Sequence, residues 1–330
     1  MNKIKLLTLL SLICFTSTNA QDTLMFKSKG NPVIRHKFTS DPSALVYKDT
    51  LYIYASQDNT EGSFAENDPQ NWLVFSSADL QIWTEHPIPL TKESFKWAAH
   101  EEQAWASHVV EKNGKFYWYA CIGNGYNKSI GVAVADHPAG PYVDAIKKPL
   151  ITGGMTSSPK KWGDVDPMVF IDDDGQAYLF WGGGQCFYAK LKDNMTELDG
   201  EIEQIDLPSF HTSPWVHKHD DWYYLSYGYG VPTMTAYHRS KSITGPWEDC
   251  GLLNRRVQNS VTNQHAIIEF KNDWLFIYHN GAIPFIGGDL KRSVCIDRLY
   301  YKEDGTIEKI KMTKEGVCNT PEEKDLMKNI

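Results

Sequence analysis

One pattern of hydrophobic and polar residues occurs five times along the chain. Each copy is a short apolar run, a tight polar turn, and a second run rich in aromatic residues. In residues 166–182 the two runs flank an Asp-Asp-Asp-Gly turn at 172–175. Two such runs around a turn predict a β-hairpin with mostly buried strands. The other copies lie at residues 41–54, 107–119, 213–227 and 265–278.

The spacing of these copies predicts a β-propeller. Their first residues are 66, 59, 47 and 52 positions apart, close to the period of a four-stranded blade with loop insertions. A further apolar run follows copies one, two and four, at residues 72–77, 130–135 and 234–240. No segment longer than about ten residues has a helical period. We therefore predict an all-β fold, a five-bladed β-propeller.

The first 20 residues have the pattern of a secretory signal peptide. Two lysines precede an apolar run over residues 6–15, and small polar residues lead to Ala20. The apolar run is too short to span a bilayer. We expect cleavage before Gln21 and an exported protein, periplasmic or secreted. Residues 21–330 are then a single propeller domain, which we expect to be a monomer that is not associated with a membrane.

Charge and cysteine content exclude other classes of protein. A net charge of -8 and a pI near 5.8 argue against a nucleic-acid partner, because such proteins carry a basic stripe. Five cysteines follow residue 20 without paired spacing. An odd number leaves at least one thiol free, so a disulfide framework does not define this fold.

Two aspartates, Asp41 and Asp166, begin copies one and three, and each is followed by proline. Either one alone is equally well explained by a turn that caps a strand. In a propeller the first residues of the inner strands surround the central funnel, so we expect the two carboxylates to converge. Facing carboxylates can cleave a glycosidic bond, since one activates water and the other protonates the leaving oxygen. The same funnel can also hold a sugar or a metal ion without chemistry.

These motifs resemble glycoside hydrolase family 43. The resemblance extends from residues 31–34 (Asn-Pro-Val-Ile) through 41–43 (Asp-Pro-Ser) to 292–297 (Arg-Ser-Val-Cys-Ile-Asp). Family members are five-bladed propellers that act as inverting α-L-arabinofuranosidases, β-xylosidases and related enzymes. The resemblance implies a hydrolase that removes terminal arabinofuranose or xylose from plant polysaccharides or oligosaccharides. It implies a carbohydrate partner and no required cofactor.

The resemblance also implies roles for individual residues. Asp41 corresponds to the general base, and Asp166 to the carboxylate that orients the acid and raises its pKa. Arg292 corresponds to a substrate-contacting arginine, with a solvated cation at a strand end as the alternative. Trp215 corresponds to an aromatic residue beside the sugar. We add Trp105, at the head of blade two, because aromatic rings with polar tips form sugar-stacking surfaces.

Position 212 departs from the family pattern. Similar enzymes carry a glutamate as general acid two residues before Pro-Trp, and here that position is Thr212. A hydroxyl cannot replace a general acid, whose contribution is typically about 10²- to 10⁴-fold. Three hypotheses remain: another group supplies the proton, namely Glu101, Glu102 or His211; the enzyme is slow and limited to good leaving groups; or the protein binds carbohydrate without efficient hydrolysis.

A second departure concerns His265. The family usually places histidine directly after asparagine near a central metal or water, whereas this chain has Asn263-Gln264-His265. A shift by one residue on a strand turns the side chain to the opposite face. We retain His265 as a candidate substrate-binding residue. A structural calcium ion near the axis stays open, and its ligands cannot be named from the sequence.

Overall fold

Five antiparallel sheets follow one another along the chain in the computed structural model, which describes residues 23–58, 71–98, 103–123 and 127–317. Each sheet is one blade, and each contains one of the hairpins predicted from the repeats. In these ranges the helical structure is one short 3-10 turn, Lys92–Ser94. The predicted all-β, five-bladed propeller is confirmed.

The blades contain four to six strands, except the fifth, which contains three. Blade one contains β1 (Leu24–Lys27), β2 (Thr39–Tyr47), β3 (Thr50–Gln57), β4 (Asn71–Ser77), β5 (Ile82–Glu85) and β6 (Leu90–Thr91). Blade two contains β7 (Gln103–Lys112), β8 (Lys115–Gly123), β9 (Lys128–Ala135), β10 (Val143–Asp144) and β11 (Ile151–Thr152). Blade three contains β12 (Met168–Ile171), β13 (Ala177–Trp181), β14 (Cys186–Leu191) and β15 (Glu203–Ile205). Blade four contains β16 (Phe210–His219), β17 (Trp222–Tyr229), β18 (Met234–Ser240) and β19 (Glu248–Leu252), and blade five contains β20 (His265–Phe270), β21 (Asp273–Asn280) and β22 (Ser293–Leu299).

Tight turns fix the register of the inner hairpins. Both central residues have left-handed φ in the turns at 48–49, 113–114 and 271–272, as a two-residue turn of the type I′ class requires. In blade three the turn is closed by a 2.8 Å hydrogen bond from the Gly175 N–H to the Asp172 carbonyl. The register keeps the aromatic residues of the second strand inside the fold.

Aromatic side chains pack neighbouring blades together. Tyr54 of blade one meets Trp118 of blade two edge to face, with ring centroids 4.9 Å apart. Phe170 of blade three and Tyr223 of blade four make a similar contact at 6.0 Å. Such pairs add about 0.5–1.5 kcal/mol beyond the burial of their area. Aromatic residues of the hairpins therefore pack between the blades of the ring as well as around the funnel.

The N-terminal segment closes the ring beside β22. The Val33 N–H donates to the Val294 carbonyl at 2.7 Å, and the Thr39 N–H donates to the Arg292 carbonyl at 2.8 Å. Asn31 adds side-chain bonds to the backbone of Ile296. The N-terminal segment thus lies along β22, beside the three strands of blade five. This closure brings the head of β2 next to Arg292, the residue before β22.

Two further predictions concern cysteines and membranes. The four cysteines in the described ranges, at positions 121, 186, 250 and 295, are free thiols, while position 318 lies outside those ranges. No disulfide therefore holds the described part of the fold. Within the same part of the chain, no helix has the length and apolar character needed to cross a membrane. The predicted signal peptide and its cleavage point lie outside the described residues.

Candidate active site

The heads of the inner strands surround a cavity of about 350 Å³. It is lined by residues from all five blades and the loops between them. Those with groups able to do chemistry or stack on a sugar include Asp41, Trp105, Lys128, Asp166, Thr212 and Arg292. Five of these six were predicted from the sequence as site residues, and the structure brings them together in one pocket.

A larger groove, of about 1250 Å³, lies where the N-terminal segment meets blade five and residues 312–315. Its charged lining residues are lysines and arginines, with Glu315 as the one acidic residue among those described. This groove lacks facing carboxylates, so we assign the candidate active site to the smaller cavity.

Three strand heads share an uncommon backbone conformation. Asp41, Asp166 and Ser213 have φ values of 49°, 56° and 62°, in the left-handed region that non-glycine residues seldom adopt. The pairing of β2 with β3 and of β16 with β17 shifts register at these points. A shift of this kind re-aims a side chain, and strained backbone of this kind clusters at functional sites. The equivalent geometry turns these side chains toward one pocket.

The backbone of Asp41 is fixed by a buried histidine. The Asp41 N–H donates to Nδ1 of His279 at 3.0 Å. Since Nδ1 accepts, the ring proton is on Nε2, which lies 3.0 Å from the Thr262 carbonyl oxygen and donates to it. Burial lowers the pKa of His279 to about 3, so the ring is neutral. His279 therefore orients Asp41 without adding charge.

Arg292 supplies the positive charge beside Asp41. Its Nη1 lies 3.2 Å from Asp41 Oδ1, and its Nε and Nη2 each lie 2.8 Å from the oxygens of Asp58. Burial raises the pKa of Asp41, and the charge of Arg292 opposes that rise without cancelling it. Burial acts the same way on Asp58, but the charge and hydrogen bonds of Arg292 outweigh it and lower the pKa of Asp58. The guanidinium group thus bridges two buried carboxylates, and the substrate contact implied for it stays a prediction.

Hydroxyl groups surround Asp166. Ser213 Oγ donates to Asp166 Oδ2 at 2.7 Å, and Thr212 Oγ1 lies 2.9 Å from Ser213 Oγ. Burial, and after it the charge of Asp41, raises the pKa of Asp166 to about 6, although the hydroxyls and Lys128 favour the ionised form. Asp166 is therefore a hydrogen-bond acceptor near neutral pH.

No glutamate lines the pocket in the described ranges. Thr212 occupies the position of the family's general acid, and its hydroxyl belongs to the chain of hydrogen bonds that ends on Asp166. Glu101 and Glu102, the substitute acids predicted from the sequence, lie outside the described residues. His211 lines the pocket. Burial lowers its pKa, so the ring is mostly neutral at neutral pH and is a poor proton donor.

The predicted aromatic residues have different positions. Trp105 lines the pocket, and its Nε1 donates to the Gly123 carbonyl at 2.7 Å. Trp215 is buried and does not line the pocket. Its Nε1 donates to the Ile267 carbonyl at 2.8 Å, and its ring packs on His108. Stacking on a sugar is thus open to Trp105, whereas Trp215 would act through packing.

His265, retained from the sequence as a candidate substrate-binding residue, does not line the cavity, because its one-residue offset turns the side chain to the opposite face of the strand. Gln264 lines the pocket instead. His265 is 1% exposed, its Nε2 lies 2.6 Å from Ser226 Oγ, and burial lowers its pKa to about 3. In the described ranges there is no group of three or more His, Cys, Asp or Glu side chains that could hold a metal. Calcium requires six to eight oxygen ligands, and these residues do not supply that set.

Several site residues were not predicted from the sequence. The repeat alignment already put Ser213 level with Asp41 and Asp166, and that equivalence was a usable signal. Lys128 stands two residues before the run recognised as a third strand, so it was not assigned to a strand head. Asp58 and His279 had no local motif, because they act through contacts with residues more than 200 positions away.

Residues 29–307 match the family model of glycosyl hydrolases family 43. The chain belongs to this family. It is 34% identical to an arabinoxylan arabinofuranohydrolase of Bacillus subtilis, over 90% of this chain and 67% of that protein. It is 32% identical to a second arabinoxylan arabinofuranohydrolase, from Paenibacillus polymyxa, over 94% of this chain and 56% of that protein. The chain thus spans about two thirds or less of these two relatives.

Solved structures of family 43 share the fold over most of their length. One is a β-xylosidase/α-arabinofuranosidase from a compost metagenome, in complex with xylotriose and in a calcium-free form, with a TM-score of 0.77 and 27% identity over 87% of this chain and 98% of that one. Another is an α-L-arabinofuranosidase from Clostridium thermocellum, with a TM-score of 0.71 and 32% identity over 87% and 98% of the two chains. The resemblance found in the sequence is confirmed.

Proposed function

We propose that the protein is an inverting exo-glycosidase that hydrolyses terminal α-L-arabinofuranosyl or β-D-xylosyl residues of plant polysaccharides or oligosaccharides. The observation that carries the proposal is the pair of buried aspartates, Asp41 and Asp166, at equivalent strand heads facing one cavity of a family 43 propeller. Relatives described as arabinofuranohydrolases and xylosidases support the choice of sugars.

The surroundings of Asp41 support the role of general base. Arg292 favours the carboxylate form, and His279 holds the backbone N–H of Asp41 in place. Asp41 would accept a proton from water as the water oxygen attacks the anomeric carbon. Inversion follows because water attacks on the face opposite to the leaving oxygen.

The size of the cavity supports removal of one terminal sugar. At about 350 Å³ it is near the lower limit of small-ligand pockets, roughly 300–1,000 Å³. The side chains of Trp105, Arg292 and Ser213 all reach this space. A single pentose would fill such a pocket while the rest of the glycan stays outside.

Thr212 favours an alternative function, binding without efficient hydrolysis. The position expected to donate the proton carries a hydroxyl, and the carboxylate nearest to it in the hydrogen-bond chain, Asp166, accepts a hydrogen bond from Ser213. A pocket with a base and no proton donor would bind the sugar and turn over only activated substrates. The two functions differ in their effect on natural glycosides.

Hydrolysis of arabinoxylan oligosaccharides, xylobiose and p-nitrophenyl glycosides by the wild type, Asp41→Asn and Thr212→Glu tests both functions. An exo-glycosidase would release arabinose or xylose from natural substrates, and the Asp41→Asn variant would not. Silence of the wild type on natural substrates, together with activity gained in Thr212→Glu, would support the binding alternative. Circular dichroism and thermal unfolding of each variant serve as folding controls.

Export, oligomeric state and calcium stay proposals. Export through a signal peptide that ends at Ala20 is tested by the N-terminal sequence of the mature protein. A monomer is tested by light scattering. A structural calcium ion would have to be held largely by water and backbone oxygens, and a difference in Tm between EDTA and calcium would indicate it.

A further inference from the structure

Lys128 is a buried cation of the pocket that has no hydrogen-bond acceptor in the described part of the chain. It begins β9, its side chain lines the cavity, and the residue is 6% exposed. Within the described part of the chain, its Nζ has no hydrogen-bond partner. An ammonium group has three N–H donors, and leaving them unsatisfied in a buried place costs free energy. A site that keeps such a group has an acceptor to offer it, and here that acceptor would come from a ligand.

The backbone and a tryptophan ring hold Lys128 in place. Its Nζ lies 2.9 Å from the centroid of the Trp105 ring, a cation–π contact that stabilises the charged form. Lys128 pairs with Gly123 across β8 and β9. A Cβ at position 123 would lie 2.7 Å from the Lys128 Cα, so glycine permits this close approach. The lysine is thus fixed at the pocket by its neighbours on both sides.

The other charged groups and the hydroxyls of the pocket are already committed, whereas Nδ1 of His211 has no hydrogen-bond partner among the described residues. The Arg292 N–H groups donate to Asp41, Asp58 and Thr262. Asp166 is an acceptor, and the Thr212 and Ser213 hydroxyls form the chain that ends on it. Among the charged donors described in the pocket, Lys128 is the one whose N–H groups donate to no acceptor.

We propose that Lys128 donates the proton to the leaving glycosidic oxygen, in place of the glutamate that Thr212 replaces. This inference rests on the proposed hydrolase function. In the step, an Nζ–H bond breaks and its proton goes to the glycosidic oxygen, which takes the electron pair of the C1–O bond. Water bonds to C1 and gives a proton to Asp41. After product release, Asp41 returns that proton to solvent and the neutral amine is reprotonated.

The charge balance of this step is favourable. Positive charge develops on the sugar in the oxocarbenium-like transition state, and a fixed cation beside it would be repulsive. A cation that gives up its proton loses that charge as the sugar gains it. Burial lowers the pKa of Lys128 to about 8, opposed by the negative charges of Asp166 and Asp41. A donor with a pKa near the working pH is an effective general acid.

Substrates that differ in leaving group separate proton donation from simple binding. In Lys128→Met we expect kcat/KM for xylobiose or an arabinoxylan oligosaccharide to fall by about 10²-fold or more. The same variant should retain most of its activity on 2,4-dinitrophenyl glycosides, because a good leaving group needs no proton. Equal losses on both substrates, or no loss on either, would overturn the proposal.

Two further variants control for charge and position. Lys128→Arg keeps the charge, but a guanidinium cannot release its proton in this pH range, so the loss on natural glycosides should persist. Retention of activity on natural glycosides by this variant would show that charge alone matters and would overturn proton donation. Lys241 lies 4.1 Å from the centroid of the Trp222 ring, outside the pocket, and Lys241→Met should leave both activities unchanged.

The wild type alone also tests the proposal. Because the donor must be protonated, activity on natural glycosides should fall as pH rises through about 8, while activity on dinitrophenyl glycosides should not show that fall. Cys121 does not titrate in this window, since burial raises its pKa to about 12. An identical basic limb for both substrates would contradict proton donation. A wild type that hydrolyses no glycoside would overturn the proposed function itself, whereas an active wild type without the leaving-group effect would overturn this inference alone.

Discussion

Two walls of the pocket differ in how their charges are paired. On the wall built by blades one and five, the paired wall, every ionised group has an opposite charge or a neutral hydrogen-bond partner. Its members are Asp41, Asp58, Thr262, His279 and Arg292. The opposite wall, built by blades two, three and four, is called the donor wall below. There the carboxylate accepts from hydroxyls, and the lysine has no hydrogen-bond acceptor among the residues that the structure describes. Its members are Trp105, Lys128, Asp166, Thr212 and Ser213.

The difference separates what a base needs from what a proton donor needs. A base must be ionised to accept a proton, and the Arg292 guanidinium favours the ionised form of Asp41 without cancelling the effect of burial. A donor must hold a proton that no protein acceptor takes, and the donor wall leaves such protons on Lys128. The proposed base therefore has a charged partner, while the position of the family's acid differs from the family pattern at Thr212.

Replacing the base should have the largest effect. Asp41→Asn keeps the size of the side chain and removes its ability to accept a proton, so kcat/KM on natural glycosides should fall by about 10²- to 10⁴-fold. Steady-state kinetics measure the loss, and Asp49→Asn at the exposed hairpin turn is the control. A variant within about threefold of the wild type would show that Asp41 is not the base.

Breaking the paired wall should cost stability as well as activity. In Arg292→Met, Asp41 and Asp58 lose their shared cation, and breaking a buried pair typically costs about 3–5 kcal/mol. The pKa of Asp41 should rise, and because the base acts when ionised, the acid limb of the pH–rate profile should move to higher pH. Denaturant unfolding and pH profiles measure both. Arg292→Lys keeps the charge and should shift each less, and an unchanged acid limb in Arg292→Met would contradict the pairing.

How much of this was visible in the sequence differs between fold and site. The five hairpins were predictable because their turns and alternating burial are local, and copies aligned at Asp41 and Asp166 gave the strand heads. Lys128 was not, because its importance comes from the absence of a partner, which a sequence does not display. The contacts of His279 and Arg292 with Asp41 span nearly the whole chain and required ring closure.

Neutralising the carboxylate of the donor wall should stabilise the fold. The pKa of Asp166 is raised from 3.8 to about 6, so its ionisation costs up to a few kcal/mol of stability above that pH and nothing below the unfolded value. Asp166→Asn should therefore raise Tm at pH 7, and the gain should vanish near pH 4. Thermal unfolding at both values tests this, and a lower Tm at pH 7 would contradict it.

The smallest effect is expected from the hydroxyl on Asp166. Ser213→Ala removes the 2.7 Å hydrogen bond to Oδ2, which favours the ionised form, so the pKa of Asp166 should rise further. Carboxyl titration by NMR measures the shift, with Ser242→Ala on the surface as control. A lowered or unchanged pKa would show that Ser213 does not stabilise the carboxylate.

The proposed reaction is hydrolysis of a terminal pentoside by direct attack of water activated by Asp41. The most direct measurement is ¹H NMR of the first sugar released from a p-nitrophenyl α-L-arabinofuranoside or β-D-xyloside, recorded before mutarotation. We expect the first anomer to have the inverted configuration and Asp41→Asn to release none. A first product with retained configuration, or release that persists in Asp41→Asn, would contradict it.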